Sequence, residues 1–271
     1  MRWSAIAAIP STNDEHMLKE ERHHKIRRFI EGHGQATVSD LAAQFGVSEM
    51  TIRRDLCDLA AQGRVVRVHG GAIAPGQQRA PGGLPVLERM REEPTAKQSI
   101  GRAVADMVSP GETIFIGAGT TTLAVAESLI DHQGITVVTN ALTVANSLAA
   151  SPSITVLVVG GFLQTSNLSM VGHVAEYALR DLRVDKIITG MRGIHPTYGL
   201  TSDSLQMMMT DRAIMTISDT IIVVADHTKF GHVAASRTAP ITAASLIVTD
   251  QQAPQEMLEE IRRLGVRIIQ V

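Results

Sequence analysis

The stretch from residue 47 to residue 72 decides the reading: VSEMTIRRDL from Val47 to Leu56, then GRVVRVHGGA from Gly63 to Ala72. Ser48 precedes a run whose apolar residues Ile52, Leu56 and Leu59 recur at helical spacing, and a serine at that point can accept a backbone N–H and cap the helix. With those three turned to a core, Glu49, Met50, Thr51, Arg53 and Arg54 remain near the N-terminal half, where a recognition helix presents side chains to base edges and phosphates. Gly63 ends the helix, and Arg64–His69 alternates like a strand before Gly70 and Gly71. Upstream, Glu20–Glu31 reads as a helix with Ile26, Phe29 and Ile30 on one face, stopped by Gly32, His33 and Gly34. Ser39 is expected to cap a second helix carrying Leu41, Ala42 and Phe45, and Gly46 follows where a tight inter-helix turn needs positive φ. Three helices and a basic β-ribbon predict a winged helix-turn-helix.

The charge distribution agrees. The net charge is −2 over 271 residues, yet residues 19–71 hold nine Lys/Arg against seven Asp/Glu while residues 72–271 hold fifteen against eighteen. A mildly basic head on a mildly acidic body suits an anionic partner for the head alone. Arg53 and Arg54 are expected to divide the work, one reaching DNA and the other pairing locally beside Asp55 and Asp58. Cys57 reads as small core filler. His23 and His24 point to different helix faces, read as solvated, and make a poor metal pair.

A single cysteine excludes a disulfide scaffold and a multi-cysteine zinc site. Aromatics at 3% exclude a stacking surface for single-stranded nucleic acid, whereas 44% hydrophobic and 19% charged residues suit a packed core. No apolar run approaches the ~20 residues of a membrane helix. Ala5–Ile9 is too short for a secretory signal. A cytoplasmic chain with no membrane partner, metal or cofactor is expected.

The rest of the chain alternates strands and helices. Thr113–Ile116, Ile135–Val138, Ile154–Val159, Lys186–Thr189, Ile221–Val224, Leu246–Val248 and Arg267–Val271 are β-branched or apolar runs, separated by helical stretches such as Leu123–Ile130 and Leu142–Ala149. That pattern predicts a largely parallel sheet covered on both faces, with ligands bound beyond the carboxyl ends of its strands. Polar motifs stand at those ends: Gly117–Thr122 (GAGTTT), Thr139–Asn140, Gly160–Gly161, Gly190–Gly193 and Asp226–Gly231. In GAGTTT, glycines admit close backbone approach, a helix N-terminus adds positive potential and threonine hydroxyls add donors, which makes a phosphate cradle. It is neither a Walker loop nor a dinucleotide fingerprint. Lys229 is a second candidate cation, and Met207–Met209 reads as core packing.

These strings resemble the DeoR family of bacterial transcription regulators. The head carries its "VS-x-x-TIRRDL … L-x-x-x-G … R-x-HGGA" pattern, and Ile100–Asp250 keeps the order GAGTTT, TN, GG, G-x-x-G, GLT and AD-x-[ST]-KFG. The resemblance implies a two-domain chain of mixed α+β and α/β class: an N-terminal winged helix-turn-helix and a C-terminal largely parallel α/β sheet similar to sugar-phosphate isomerases. The expected division is a disordered tail over 1–17, the DNA-binding domain over 18–73, a linker over 74–90 and the sensor domain over 91–250. A C-terminal helix and strand over 251–271 complete it. Family members start near the equivalent of Met17, so the first residues are either a natural tail or precede the true start.

By position, the resemblance carries DNA contact onto Ser48, Thr51, Arg53, Arg54 and the wing around Arg67 and His69, and Ser39 and Glu49 join them as DNA-contact candidates. It carries effector contact onto Gly117, Gly119, Thr120, Thr121, Thr122, Asn140, Gly161 and Lys229, and Arg89 and Lys97 fall where the family carries an Arg and a Lys. This chain has Arg192 and His195 where the family reads Asp in GADGID, Gln206 and Met207 where it has acids, and Asp211 where it has Lys. Arg192 and Asp211 therefore join the effector candidates, and are expected to pair with each other in reversed sense. The implied function is a repressor of a carbohydrate operon that binds a double-stranded operator as a dimer or tetramer and responds to a small phosphorylated sugar. The alternatives are a sugar-phosphate isomerase-like enzyme, for which Asp226 is the carboxylate on offer, and a DNA-binding protein whose sensor ignores ligand.

Overall fold

The computed structural model describes residues 19–33, 35–68, 71–73 and 85–271. The tail, His69 and linker residues 74–84 lie outside them. The chain divides into two compact units, residues 1–78 and 79–271.

The first unit runs α1 (Lys19–His33), β1 (Gln35–Thr37), α2 (Val38–Phe45), α3 (Glu49–Ala61), β2 (Val66–Val68) and β3 (Gly71–Ile73). The strands form an antiparallel sheet in the order β1-β3-β2. β2 begins at Val66, two residues later than the alternation from Arg64 predicts, and β1 is a strand the sequence reading lacks. Ile26, Ile30, Leu41, Ile52 and Leu56 fill the core, and Phe29 meets Phe45 edge to face at 6.3 Å. Gly46 closes α2 at φ 63°, the left-handed conformation expected of the turn. Ser48 caps α3 by accepting the Thr51 N–H at 3.2 Å. The cap of α2 is Thr37, whose hydroxyl accepts the Asp40 N–H at 3.1 Å; Ser39, expected in that role, already lies inside the helix.

One ionic cluster crosses this core. Asp55 is 2% exposed and accepts from Arg22 Nε at 2.6 Å and Nη2 at 3.2 Å, with His23 Nε2 at 3.0 Å. The Arg22 guanidinium is pushed above its usual range by the Asp55 hydrogen bond, against the opposing effect of burial. His23 is therefore a partner of Asp55 and not a solvated residue. Lys19 takes Asp58 at 2.6 Å.

The second unit opens with α4 (Val86–Arg89), in the stretch read as linker, and α5 (Pro94–Ala105). It continues with β4 (Thr113–Ile116), α6 (Thr120–Ser128), β5 (Ile135–Thr139), α7 (Leu142–Leu148) and β6 (Ile154–Val158). Next come β7 (Phe162–Gln164), β8 (Ser169–Val171), α8 (His173–Leu179), β9 (Lys186–Thr189), β10 (Gly193–His195), β11 (Gly199–Ser202) and α9 (Leu205–Ile214). Then follow β12 (Ile221–Val224), β13 (Ser236–Ala239), β14 (Leu246–Thr249), α10 (Gln255–Arg263) and β15 (Arg267–Gln270). Seven strands pair in parallel in the order β15-β14-β12-β9-β4-β5-β6, and they are the seven read from the sequence. Two apolar layers cover the sheet. One gathers Ile100, Val104, Val125 and Leu148 on the α5–α7 side, the other Ala175, Leu179, Ile214 and Leu258 on the side of α8, α9 and α10. A hairpin β7–β8 and a three-stranded antiparallel sheet β10-β11-β13 complete the unit.

The strand order reverses beside β4. From β4 the chain moves outward through β5 and β6, then returns to place β9 on β4's other side and continues through β12 to β14 and β15. At such a reversal the loops at the carboxyl ends diverge and leave a crevice.

Candidate DNA-contacting face and ligand cleft

On α3, burial of Ile52, Asp55, Leu56 and Leu59 turns Met50, Arg53, Arg54 and Cys57 outward as one stripe. Met50 is 72% exposed, an apolar side chain able to meet a thymine methyl. Cys57 is exposed and accepts a contact from the wing's Arg67 Nη1 at 2.9 Å; it is not core filler. Ser48 and Thr51 hold each other, hydroxyl to hydroxyl at 2.9 Å, at the start of the helix. Ser39 and Glu49 are exposed as well.

One of the two arginines does pair locally, but with another partner than expected. Arg53 pairs with Glu49 at 3.0 Å, since Asp55 and Asp58 are taken by α1. Arg54 stays exposed and adds positive potential near Asp58. Arg54→Ala is expected to weaken operator binding ~10–100-fold, about 1–3 kcal/mol, and Arg53→Ala by less because Glu49 already offsets its charge. Fluorescence anisotropy at two salt concentrations reads both, and equal losses would overturn the assignment.

In the second unit, a cleft lies at the reversal of strand order. Of the residues expected there it gathers Gly119, Thr120, Thr121 and Asn140 beyond β4 and β5, Arg192 beyond β9 and Lys229 beyond β12, with Asp211 from α9. Three expected residues face elsewhere. Gly117 packs toward Thr189, the Thr122 hydroxyl turns back to the Gly119 carbonyl at 3.0 Å, and Gly161 runs against Val171 and Ala175. Asp226 does not line the cleft either: it caps the following turn, accepting the Thr228 N–H at 3.0 Å and the Thr228 hydroxyl.

The cleft also takes residues that sequence reasoning did not assign, among them Arg89, Asn167, Ser169, Ser202 and Met207. Arg89 is 7% exposed and donates to Asn167 Oδ1. Lys97, 4% exposed, donates to the carbonyls of Arg89 (2.8 Å) and Glu92, so it holds α4 in place. Burial lowers Arg89 to about 10, with Arg192 adding to the shift. Burial lowers Lys97 and Lys229 too, Asp226 opposing in both cases. Crowded cations that resist their own charge are what an incoming anion relieves. The Arg89 signal was visible only as a family position. Met207 lines the cleft and Met208 is buried, but Met209 is exposed, so the methionine run is not plain core packing.

The expected Arg192–Asp211 pair does not form. Arg192 Nε donates to Asp203, and Asp211 accepts from the Ser202 hydroxyl at 2.8 Å. Asp211 is half-buried, and the surface it keeps opens into the cleft. Burial pushes its carboxyl up to about 6, against the Ser202 hydrogen bond. The folded state thus holds a proton that the unfolded chain, near 3.9, has released, and stability falls as pH rises from about 4 to 6. Asp211→Asn is expected to remove that fall, gaining at most about 3 kcal/mol at pH 7 and nothing near pH 4. Denaturant unfolding at both pH values measures the difference.

Two family models match the chain: the DeoR-like helix-turn-helix domain over residues 22–78 and the DeoR C terminal sensor domain over residues 92–251. The chain belongs to the DeoR family. It is 32% identical over 243 residues to the glycerol-3-phosphate regulon repressor of Escherichia coli K12, covering 90% of this chain and 95% of that protein. It is 30% identical over 254 residues to the HTH-type transcriptional repressor GlcR of Bacillus subtilis 168, covering 93% and 96%. Among solved structures, ribose 5-phosphate isomerase A of Methanocaldococcus jannaschii overlaps at a TM-score of 0.36 and 14% identity, over 49% of this chain and 53% of that one, too little to bear on the reading. This DeoR-family chain is a DNA-binding transcriptional regulator with a sensor domain.

Proposed function

We propose that the protein is a repressor of a carbohydrate operon, that it binds a double-stranded operator as a homo-oligomer, and that a small phosphorylated sugar alters its affinity for DNA. The observation that carries this reading is the cleft, where Arg89 and Lys229 stand with the N-terminus of α6 at Gly119–Thr121. The first N–H groups of a helix lack intrahelical acceptors, and with two cations beside them they hold a phosphate well. A single recognition helix reads one half-site, so paired half-sites call for a second copy. No catalysis is proposed: Asp226, the carboxylate on offer to an isomerase, caps a turn through Oδ1 and does not line the cleft. The relatives' names, a glycerol-3-phosphate regulon repressor and a putative aga operon transcriptional repressor, support the same reading.

The test is binding of the purified protein to DNA from upstream of its own gene, followed by fluorescence anisotropy with and without a panel of sugar phosphates. Specific binding weakened by one phosphate is the expected result. Specific binding indifferent to the whole panel would remove the sensor half of the reading.

A further inference from the structure

Resting on the phosphosugar reading above, we infer that the ligand carries a protonated amine as well as its phosphate, and that Asp211 is the residue that receives it. The cleft is not uniformly a cation's lining. Asp211 Oδ2 takes the Ser202 hydroxyl at 2.8 Å, but Oδ1 has no donor, and Asp211 forms no ion pair among the described residues.

Two further acceptors in the cleft are open. Asn140, 3% exposed, spends its amide N–H on the Met170 carbonyl at 3.0 Å and leaves Oδ1 without a partner. The Ser169 hydroxyl, on a residue 1% exposed, is without one as well. Both residues line the same cleft as Asp211. Buried polar atoms left without partners are costly, and their natural explanation in a binding site is a ligand that supplies what is missing.

What is missing here is donors and one positive charge. Neither nearby cation pairs with Asp211: Arg192 Nε donates to Asp203, and Lys229 stands 3.8 Å from Asp226. A sugar hydroxyl would give Asp211 one hydrogen bond and leave its charge uncompensated in a partly dry site. An ammonium brings three donors and the compensating charge in one group. The preference for an amine over a hydroxyl then follows from the penalty on an unpaired, partly buried carboxylate, and it rests on Asp211.

The experiment uses the full-length protein and pairs of ligands that differ only in one amine for one hydroxyl: glucosamine 6-phosphate against glucose 6-phosphate, galactosamine 6-phosphate against galactose 6-phosphate, and 1-amino-1-deoxyfructose 6-phosphate against fructose 6-phosphate. Calorimetric titration at pH 7.5 is expected to show at least one amino compound binding about 10-fold or more tightly than its hydroxyl partner. Asp211→Asn is expected to abolish that ratio. N-acetylglucosamine 6-phosphate, which keeps an N–H but no charge, is expected to follow the hydroxyl compounds. Hydroxyl compounds that bind as well as their amino partners, or a preference that survives in Asp211→Asn, would overturn the inference and leave the phosphosugar reading standing. Silence toward all seven compounds overturns both.

Discussion

Asp55→Ala is expected to unfold the DNA-binding unit at neutral pH. The carboxylate is 2% exposed and holds Arg22 by two hydrogen bonds and His23 by a third. Removing one partner of a buried ion pair typically costs about 3–5 kcal/mol, since the charge left behind has lost its compensation without regaining water. A unit this small has little more than that in total. The loss reaches function directly: Asp55 sits on the inner face of α3, and the same helix turns Arg54 and Met50 outward. Operator binding is expected to disappear with it, while the second unit, with its own two apolar layers, stays folded. Circular dichroism during denaturant unfolding should show an early transition confined to the first unit. A single transition at the wild-type midpoint, with operator binding intact, would show that the cluster contributes little.

Gly101→Val gives the opposite phenotype, a protein that binds operator and no longer responds to ligand. Gly101 lies on α5 where that helix crosses α6, and a Cβ there would stand 2.5 Å from the Ala124 carbonyl oxygen and 2.7 Å from its carbon. The obstacle is backbone, so the two helices must separate by more than rotamer changes can absorb. Overpacking of this kind costs about 3 kcal/mol at the upper end of its usual range. The displaced helix is the one that offers Gly119, Thr120 and Thr121 to the cleft, so ligand affinity is expected to fall at least 10-fold. Anisotropy with operator DNA and an effective ligand separates the cases: DNA binding near wild-type with the ligand effect lost is the expected result, and an unchanged ligand effect would mean the crossing tolerates a side chain.

What was legible in the sequence follows from where water is excluded. The seven parallel strands are covered on both faces, so they read as unbroken runs such as IIVV at Ile221–Val224. Antiparallel strands of the second unit escaped notice because FLQ, SMV and GIH are three residues long, too short for an alternation to be detected. In the cleft, residues on Gly-rich strand ends were visible as motifs. Arg89, Asn167 and Ser202 were not, because α4, the hairpin and β11 are brought there by tertiary packing alone. Ion pairing failed for the same reason. Asp55 and Asp58 looked like partners for one of the two arginines because they are near in sequence, but a neighbour one or two places along a helix points to another face, and α1 claimed both. Arg192 and Asp211 were paired on compensating chemistry, yet Asp203 lay closer in space.

The spread of the cleft along the chain has a consequence in time. Every element of the DNA-reading unit is encoded before residue 74, whereas the cleft draws on residues from Arg89 to Lys229. At roughly 5–20 residues per second, a ribosome needs roughly 10–30 s to pass from the end of one to the last contributor of the other. During that interval the growing polypeptide owns a finished recognition helix and no metabolite receptor. A message cut short upstream of Lys229 would leave that condition permanent, yielding a DNA-reading fragment without its sensor cleft.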